Sequence, residues 1–247
     1  MGDPDDRGLS HPPVPHKGPP VVLVVPTRNE AGAIGPALAD VSRRVVDTII
    51  VADGGSTDTT RAEASLAGAD VIEAGHGYGR ACWSGAVSAP ADSILVFMDG
   101  DGSDRADLIE TLIAPIVAGT HDFVIASRVR GEREPGSMGI HQVLVGRVAG
   151  ILIDMTYGVR YTDMCAFRAI RREQLMRLKM REMTYGWNLE MQMRAAKRGL
   201  RILELPTPYR RRQAGESKVS GSLAGTLRAG VQLLSTYCRV AFERGDP

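Results

Sequence analysis

The segment DSILVFMDGDGSD, residues 92–104, places Asp99 and Asp101 two positions apart and Asp104 three further on. Two carboxylates at that spacing on a turn can point the same way and share a divalent cation. Mg2+ and Mn2+ take oxygen ligands and keep positions open for phosphate oxygens. The same letters fit part of a calcium loop, with Asp99, Asp101, Ser103 and Glu110 at its positions 1, 3, 5 and 12. Two features count against that loop. SILVFM before it has the composition of a strand rather than a helix, and Asp104 stands where the sharp turn needs glycine. What is left is a strand that ends in an acid pair, a suitable clamp for a metal bound to a diphosphate.

Two other strand-like runs end in the same style. VVLVV (21–25) runs into PTRNE, with Thr27, Asn29 and Glu30, and TIIVAD (48–53) closes on Asp53 before GGSTD. Ligands of open parallel sheets sit at the carboxyl ends of strands. Gly54, Gly55, Gly100 and Gly102 would leave the backbone bare where a ligand approaches. Asp, Gly, Ser and Thr are also ordinary turn and cap residues, so the weight lies in three such ends on successive strands. The second half carries cations that need a reason. Arg128 follows FVIAS (123–127), Arg147 interrupts the apolar run VLVGRVAGILIDM, and Arg212 and Lys218 lie in the polar loop YRRRQAGESKVSGS. A charge on an apolar helix is costly unless paired or used, and Asp154 is the ordinary partner for Arg147. Asp163 in TDMCAF and Glu190 in WNLEMQ are the carboxylates that could serve as general base. Cys165 reads as a packing residue.

These residues need a scaffold, and the hydrophobic pattern supplies one. After a Pro-, Gly- and charge-rich stretch of about twenty residues, expected to be disordered, apolar runs alternate with helix-like segments. Strands are expected at 21–25, 48–53, 69–74, 93–99 and 123–127, and helices at 33–44, 78–88 and 105–118. That βαβα order predicts an α/β domain, a Rossmann-like, mostly parallel sheet with helices on both faces. Beyond residue 128 the rhythm changes. A helix is expected at 141–156, TDMCAFRAI reads as a strand turning into a helix, and WNLEMQMRAAKRG as a helix closed by Gly199. LRILELPTPY reads as an edge strand or strand pair, and RREQLMRLKMRE as a solvated helix face. A final amphipathic helix carries Leu223, Leu227, Val231, Leu234 and Cys238 on one face, expected to pack on the core. The organisation read from this is a tail (1–20), one catalytic domain (21–218) and a C-terminal helix and tail (219–247). GEREPGSMG and RRRQAGESKVSGS have the composition of lids.

The chain has 247 residues, with 30 Lys plus Arg against 29 Asp plus Glu. Such a balance argues against a nucleic-acid binder. Three dispersed cysteines give neither a zinc site nor a disulfide framework, so a reducing cytoplasm is expected. The sequence has no run of 18 apolar residues, so no membrane span is predicted.

PTRNE, DGGSTD and FMDGDGSD, in this order, resemble the inverting glycosyltransferases of family 2, which have the GT-A fold. Within that family the chain is similar to dolichol-phosphate mannose synthase and bacterial polyprenyl-phosphate glycosyltransferases. GYGRA (77–81), ASR (126–128), TDMCAFRAI, the helix with Glu190 and GESK (215–218) extend the likeness over roughly residues 20–235. The resemblance implies a UDP- or GDP-sugar donor of the glucose or mannose class and a Mg2+ or Mn2+ ion. Pro26, Thr27, Asn29, Glu30 and Asp53 would line the nucleoside pocket, and Arg80 would touch the diphosphate. Asp99, beside Gly100, would reach the ribose side, and Asp101 the metal. Arg128, Arg147, Arg212 and Lys218 would receive donor and lipid phosphates, with Asp163 near the acceptor. Without a span, contact with a membrane face would be peripheral. The alternative is a soluble transferase using a hydroxyl-bearing small molecule. A catalytically silent binding partner fits less well, because the acid pair is intact. Two departures from the family pattern stand out. Gly54 replaces a second acid after Asp53, which opens the choice of base, and Cys165-Ala166 replaces a smaller pair before Phe167-Arg168, which opens the choice of acceptor.

Overall fold

The computed structural model describes residues 18–213 and 223–243, with side chains from 230 onward in the second stretch. The expected N-terminal tail up to residue 17 and all of GESKVSGS, with Lys218, lie outside the described residues. The first strand, β1 (Val21–Thr27), is buried at every position. A β-branched run with no polar alternation can only sit where both faces of a sheet are covered. It is joined by β2 (Thr48–Asp53), β3 (Asp70–Glu73), β4 (Ile94–Phe97), β5 (Phe123–Ser127), β6 (Arg168–Arg171) and β7 (Ile202–Pro206) in a seven-stranded sheet ordered β3-β2-β1-β4-β6-β5-β7. β1 pairs in parallel with β2 on one side and β4 on the other, and Thr27 stands level with Asp53. The order of strands reverses between β1 and β4, so their carboxyl ends flank a crevice, the usual place for a ligand in such sheets.

The mostly parallel sheet is as the sequence predicts, with one exception. β6 runs antiparallel between β4 and β5, pairing Leu95 with Ile170 and Val124 with Ala169. TDMCAF is therefore connecting chain, and the strand begins only at Arg168. The expected edge strand is β7, parallel to β5, with β3 at the other edge.

The helices are α1 (Ile34–Ala39), α2 (Thr60–Leu66), α3 (Tyr78–Ser88), α4 (Ile109–Val117), α5 (Ile140–Tyr157), α6 (Arg172–Arg177), α7 (Trp187–Lys197) and α8 (Leu223–Phe242). α1 stops well short of residue 44, because the chain turns back toward β2. There the Asp47 carboxylate accepts from the Val21 amide at 2.7 Å and Val46 enters the core. α3 lies close on β1 because residue 85 is glycine: a Cβ there would meet Val24 Cγ1 at 2.4 Å. α6 is shorter than the solvated helix expected, and Leu175 and Leu178 are buried.

α8 reverses the expectation for its apolar stripe. Val231 and Leu234 are each 62% exposed and Cys238 is exposed, whereas Val240 and Thr236 are buried. Leu233 and Tyr237 pack on the core cluster from the inner side, and the side chains of Leu223 and Leu227 lie outside the described residues. Both faces of the helix are apolar, so periodicity alone could not say which one turns inward. α5 is built the same way. Gly146, Ala149, Gly150 and Ile153 are buried, while Ile140, Leu144, Val148, Ile151 and Met155 form an exposed stripe on the opposite side. The two helices touch through Thr156 and Tyr237, whose hydroxyls are 2.5 Å apart.

Candidate active site

The crevice between β1 and β4 opens into a cavity of about 810 Å3. One wall is acidic. Asp99, two residues beyond β4, accepts a hydrogen bond from the Tyr78 hydroxyl at 3.2 Å, and its amide donates to Asp104 Oδ2 at 3.1 Å. Burial, reinforced by the charge of Asp101, pushes the Asp99 carboxyl up to about 6. Burial likewise holds Asp104 well above the ordinary carboxylate range, with Asp99 and Asp101 adding to it. Asp101 Oδ1 accepts from the Ser103 amide at 2.9 Å, and Oδ2 lies 2.9 Å from Arg212 Nη2. Arg212 reaches Glu30 as well, at 3.1 Å. Gly100 gives the turn its tight fit, since a Cβ there would stand 2.7 Å from Thr27 Cγ2.

Three crowded carboxyls, two of them held above their ordinary range, form a wall that favours a cation. Mg2+ or Mn2+ fits it. Among the described residues no three His, Cys, Asp or Glu side chains form a complete cage. A pair of aspartates that leaves the remaining positions to phosphate and water is how these ions are held. Arg212 already stands in with positive charge.

An ion pair also lines the cavity, close enough for the Arg128 charge to act on Asp99 and Asp104. Arg128, directly after β5, donates from Nε to Asp163 Oδ2 at 2.7 Å and from Nη2 to Oδ1 at 2.8 Å, and its amide donates to Oδ2 at 2.9 Å. Arg128 also lies over the Tyr209 ring, 5.0 Å from its centroid. Burial works against the Asp163 charge, but the Arg128 guanidinium outweighs it and keeps the carboxyl below its usual range. Both Asp163 oxygens are engaged, while Nη1 of Arg128 has no partner among the described residues.

Pro26, Thr27, Arg28, Glu30, Gly54, His76 and Gly77 also line the cavity, and the buried Thr27 hydroxyl has no partner among the described residues. Other expected residues are not brought to the cavity. Asp53 is fully buried and committed to the amides of Gly55 and Ser56 and to Arg61 Nε at 2.6 Å. Asn29, at φ 52°, clasps the next loop by accepting from the Thr57 amide. Arg80 is exposed and donates to the His76 carbonyl. Glu190 is buried in a separate network with Arg194, Arg239 and the amides of Arg181 and Glu182, which ties α7 to α8. Arg147 is exposed and makes no ion pair with Asp154. The described start of the second expected lid is tied to the first: the Arg211 amide donates to Glu134 Oε2 and Arg211 Nε to the Pro135 carbonyl.

Three residues around the site were not singled out in the sequence: Tyr78, Tyr209 and Arg168. Arg168 is completely buried, with its guanidinium bonded to the carbonyls of Cys165, Ala166 and Asn188. Burial lowers its pKa. A charge inside the apolar run AFRAI was the available signal, the same one that drew attention to Arg147.

Comparison with known proteins follows the same lines. Residues 22–178 match the family described as Glycosyl transferase family 2. An uncharacterized glycosyltransferase of Mycobacterium tuberculosis (strain ATCC 25618 / H37Rv) is 34% identical over 217 residues, covering 86% of this chain and 95% of its own. A dolichyl-phosphate hexose transferase of Haloferax volcanii is 35% identical over 210 residues, covering 83% and 89%. Among solved structures, glucosyl-3-phosphoglycerate synthase from Mycobacterium tuberculosis, in complex with Mn2+, UDP and glucosyl-3-phosphoglycerate, superposes with a TM-score of 0.71 at 21% identity, covering 93% of this chain and 82% of that one. That likeness is one of fold, and the fold is GT-A.

Proposed function

Since the chain belongs to glycosyl transferase family 2, we propose that it moves a hexose of the glucose or mannose class from a UDP- or GDP-sugar to a polyprenyl phosphate, with inversion, at a membrane face. The observation that carries this reading is the cavity itself, lined by both the acidic turn and the Arg128–Asp163 pair. A relative named polyprenol monophosphomannose synthase, from Mycolicibacterium smegmatis, supports it at 28% identity over 216 residues.

Asp99 and Asp101 would hold Mg2+ or Mn2+. The ion supplies Lewis-acid neutralisation of the leaving group. Pro26, Thr27, Arg28 and Gly54 take the nucleoside, and the unpartnered Thr27 hydroxyl is offered to it. Asp163 orients Arg128, whose Nη1 is left for the acceptor's phosphate. The engagement of both Asp163 oxygens also favours an acceptor that is already ionised. A phosphate attacks the anomeric carbon without a general base, whereas a hydroxyl would need a free carboxylate.

Contact with the bilayer is assigned to the outward stripes of α5 and α8. No helix among the described residues is long and apolar enough to cross a membrane. Ile140, Leu144, Ile151 and Met155 are 58–88% exposed, and Phe242 of α8 is 81% exposed. The same helices send His141, Gln142, Val145 and Leu233 to the cavity lining. A prenyl chain lying on this face would therefore reach the site with its phosphate leading.

The donor is tested by thermal shift with UDP, GDP and their glucose and mannose conjugates, with and without Mn2+. One nucleotide is expected to raise the melting temperature, and only with the metal. Equal shifts with and without Mn2+, or none, would contradict the assignment of Asp99 and Asp101.

A further inference from the structure

The acidic turn is covered by a strap from the segment after β7. The Arg210 amide donates to the Ser103 carbonyl at 3.1 Å, and the Gln213 amide to the Asp101 carbonyl at 3.0 Å. The Tyr209 hydroxyl lies 3.0 Å from Ser103 Oγ. The close fit depends on Gly102, at φ 76°, where a Cβ would stand 2.7 Å from Gln213. Between these backbone clips the Arg212 side chain, 29% exposed, turns into the cavity and pairs with Asp101 and Glu30. Its guanidinium therefore touches the carboxylate that the reading above gives to the metal.

We infer that Arg212 is a tethered counter-cation that a divalent ion must displace from Asp101, so that the ion binds well only together with a nucleoside diphosphate. The inference rests on the metal–diphosphate reading of the site. An inner-sphere bond from Mg2+ to a carboxylate is about 2.0–2.1 Å long. A guanidinium at 2.9 Å from the same carboxylate would sit beside a second positive charge. With metal alone, Arg212 loses its partner and gains a repulsive neighbour. With metal and diphosphate together, it gains an anion, and the clips at residues 210 and 213 keep it within reach. Arg212 thus opposes the ion alone and favours the ion with its nucleotide. A plain donor ligand would leave metal-only affinity unchanged, and a purely structural bridge would move both affinities the same way.

The test is calorimetric titration of Mn2+ alone, and then of UDP and GDP at saturating Mn2+, into wild type, Arg212→Gln and Arg212→Lys. In Arg212→Gln, Mn2+ alone is expected to bind more tightly and the nucleotide more weakly, each by about fivefold or more, the lower end of ordinary coupling between sites. Arg212→Lys, which keeps the charge, should fall between. Unchanged or weaker binding of Mn2+ alone in Arg212→Gln, with melting temperature preserved, overturns the inference. If wild type shows no Mn2+-dependent nucleotide binding at all, the metal reading fails, and the inference with it.

Discussion

At the scale of residues, the account depends on which carboxylates are free. Asp163 is held by three donors from Arg128 and one from the Met164 amide. Asp53 is equally committed, to Ser56 and Arg61. Sequence reasoning assigned both to the site, yet a sequence does not reveal that a neighbouring guanidinium has taken the charge. Spacing alone did indicate the acid pair, because two residues on a turn fix their mutual distance wherever the chain goes. The Arg128–Asp163 pair predicts a pH signature. The Asp163 carboxyl titrates lower in the folded than in the unfolded chain, where its value is about 3.9. Its stabilisation is therefore present above that value and lost as pH falls through the lower folded one. Asp163→Asn should cost about 3 kcal/mol at pH 7, the low end for an uncompensated buried partner, because Arg128 keeps 15% exposure. The gap in chemical denaturation should narrow as pH falls toward the folded value of Asp163. A gap that does not change with pH would remove the ion pair from the explanation.

At the scale of elements, continuous apolar runs identified β1, β2 and β5, since each is buried at nearly every position. TDMCAFRAI reads as a strand turning into a helix, as β6 and α6 are, but neither the late start of β6 nor its antiparallel direction was legible. Its four residues carry Arg168 and Arg171, and its direction is set by the long excursion through α5 rather than by anything local. α5 and α8 show the limit of periodicity. A helix with one apolar face declares its orientation, but a helix with two does not. In α5 the inward face is Gly146, Ala149, Gly150 and Ile153, and in α8 it is Leu233, Thr236, Tyr237 and Val240, while Leu144, Ile151, Val231 and Leu234 stay exposed. If that outward face meets lipid, replacing Leu144, Ile151 and Met155 together with glutamate should abolish co-sedimentation with anionic vesicles and leave nucleotide binding within about twofold, surface changes being nearly neutral for the fold. Undiminished co-sedimentation would rule out this face.

For the whole molecule, the sheet order explains why residues far apart in sequence converge. The reversal between β1 and β4 opens the crevice, β5 brings Arg128 to the cavity, and the strap after β7 closes over the acids. The acidic turn, Pro26, Thr27 and Glu30 reach the cavity because they follow strands whose direction the βαβα rhythm imposes, although Asn29 and Asp53, from the same motifs, do not. The residues of the second half were harder to place. Asp163 reaches the cavity on a connection with no regular structure, and Glu190, from a well-formed helix, goes to a different network. The central claim is transfer of a sugar to a lipid phosphate, and incubation with Mn2+, radiolabelled UDP-glucose or GDP-mannose, and polyprenyl phosphate tests it most directly. The account predicts label in an acid-labile, chloroform-soluble product with the wild type and none with Asp101→Ala. Label that stays in the aqueous phase with every donor, or appears there on a hydroxyl-bearing acceptor, would contradict it.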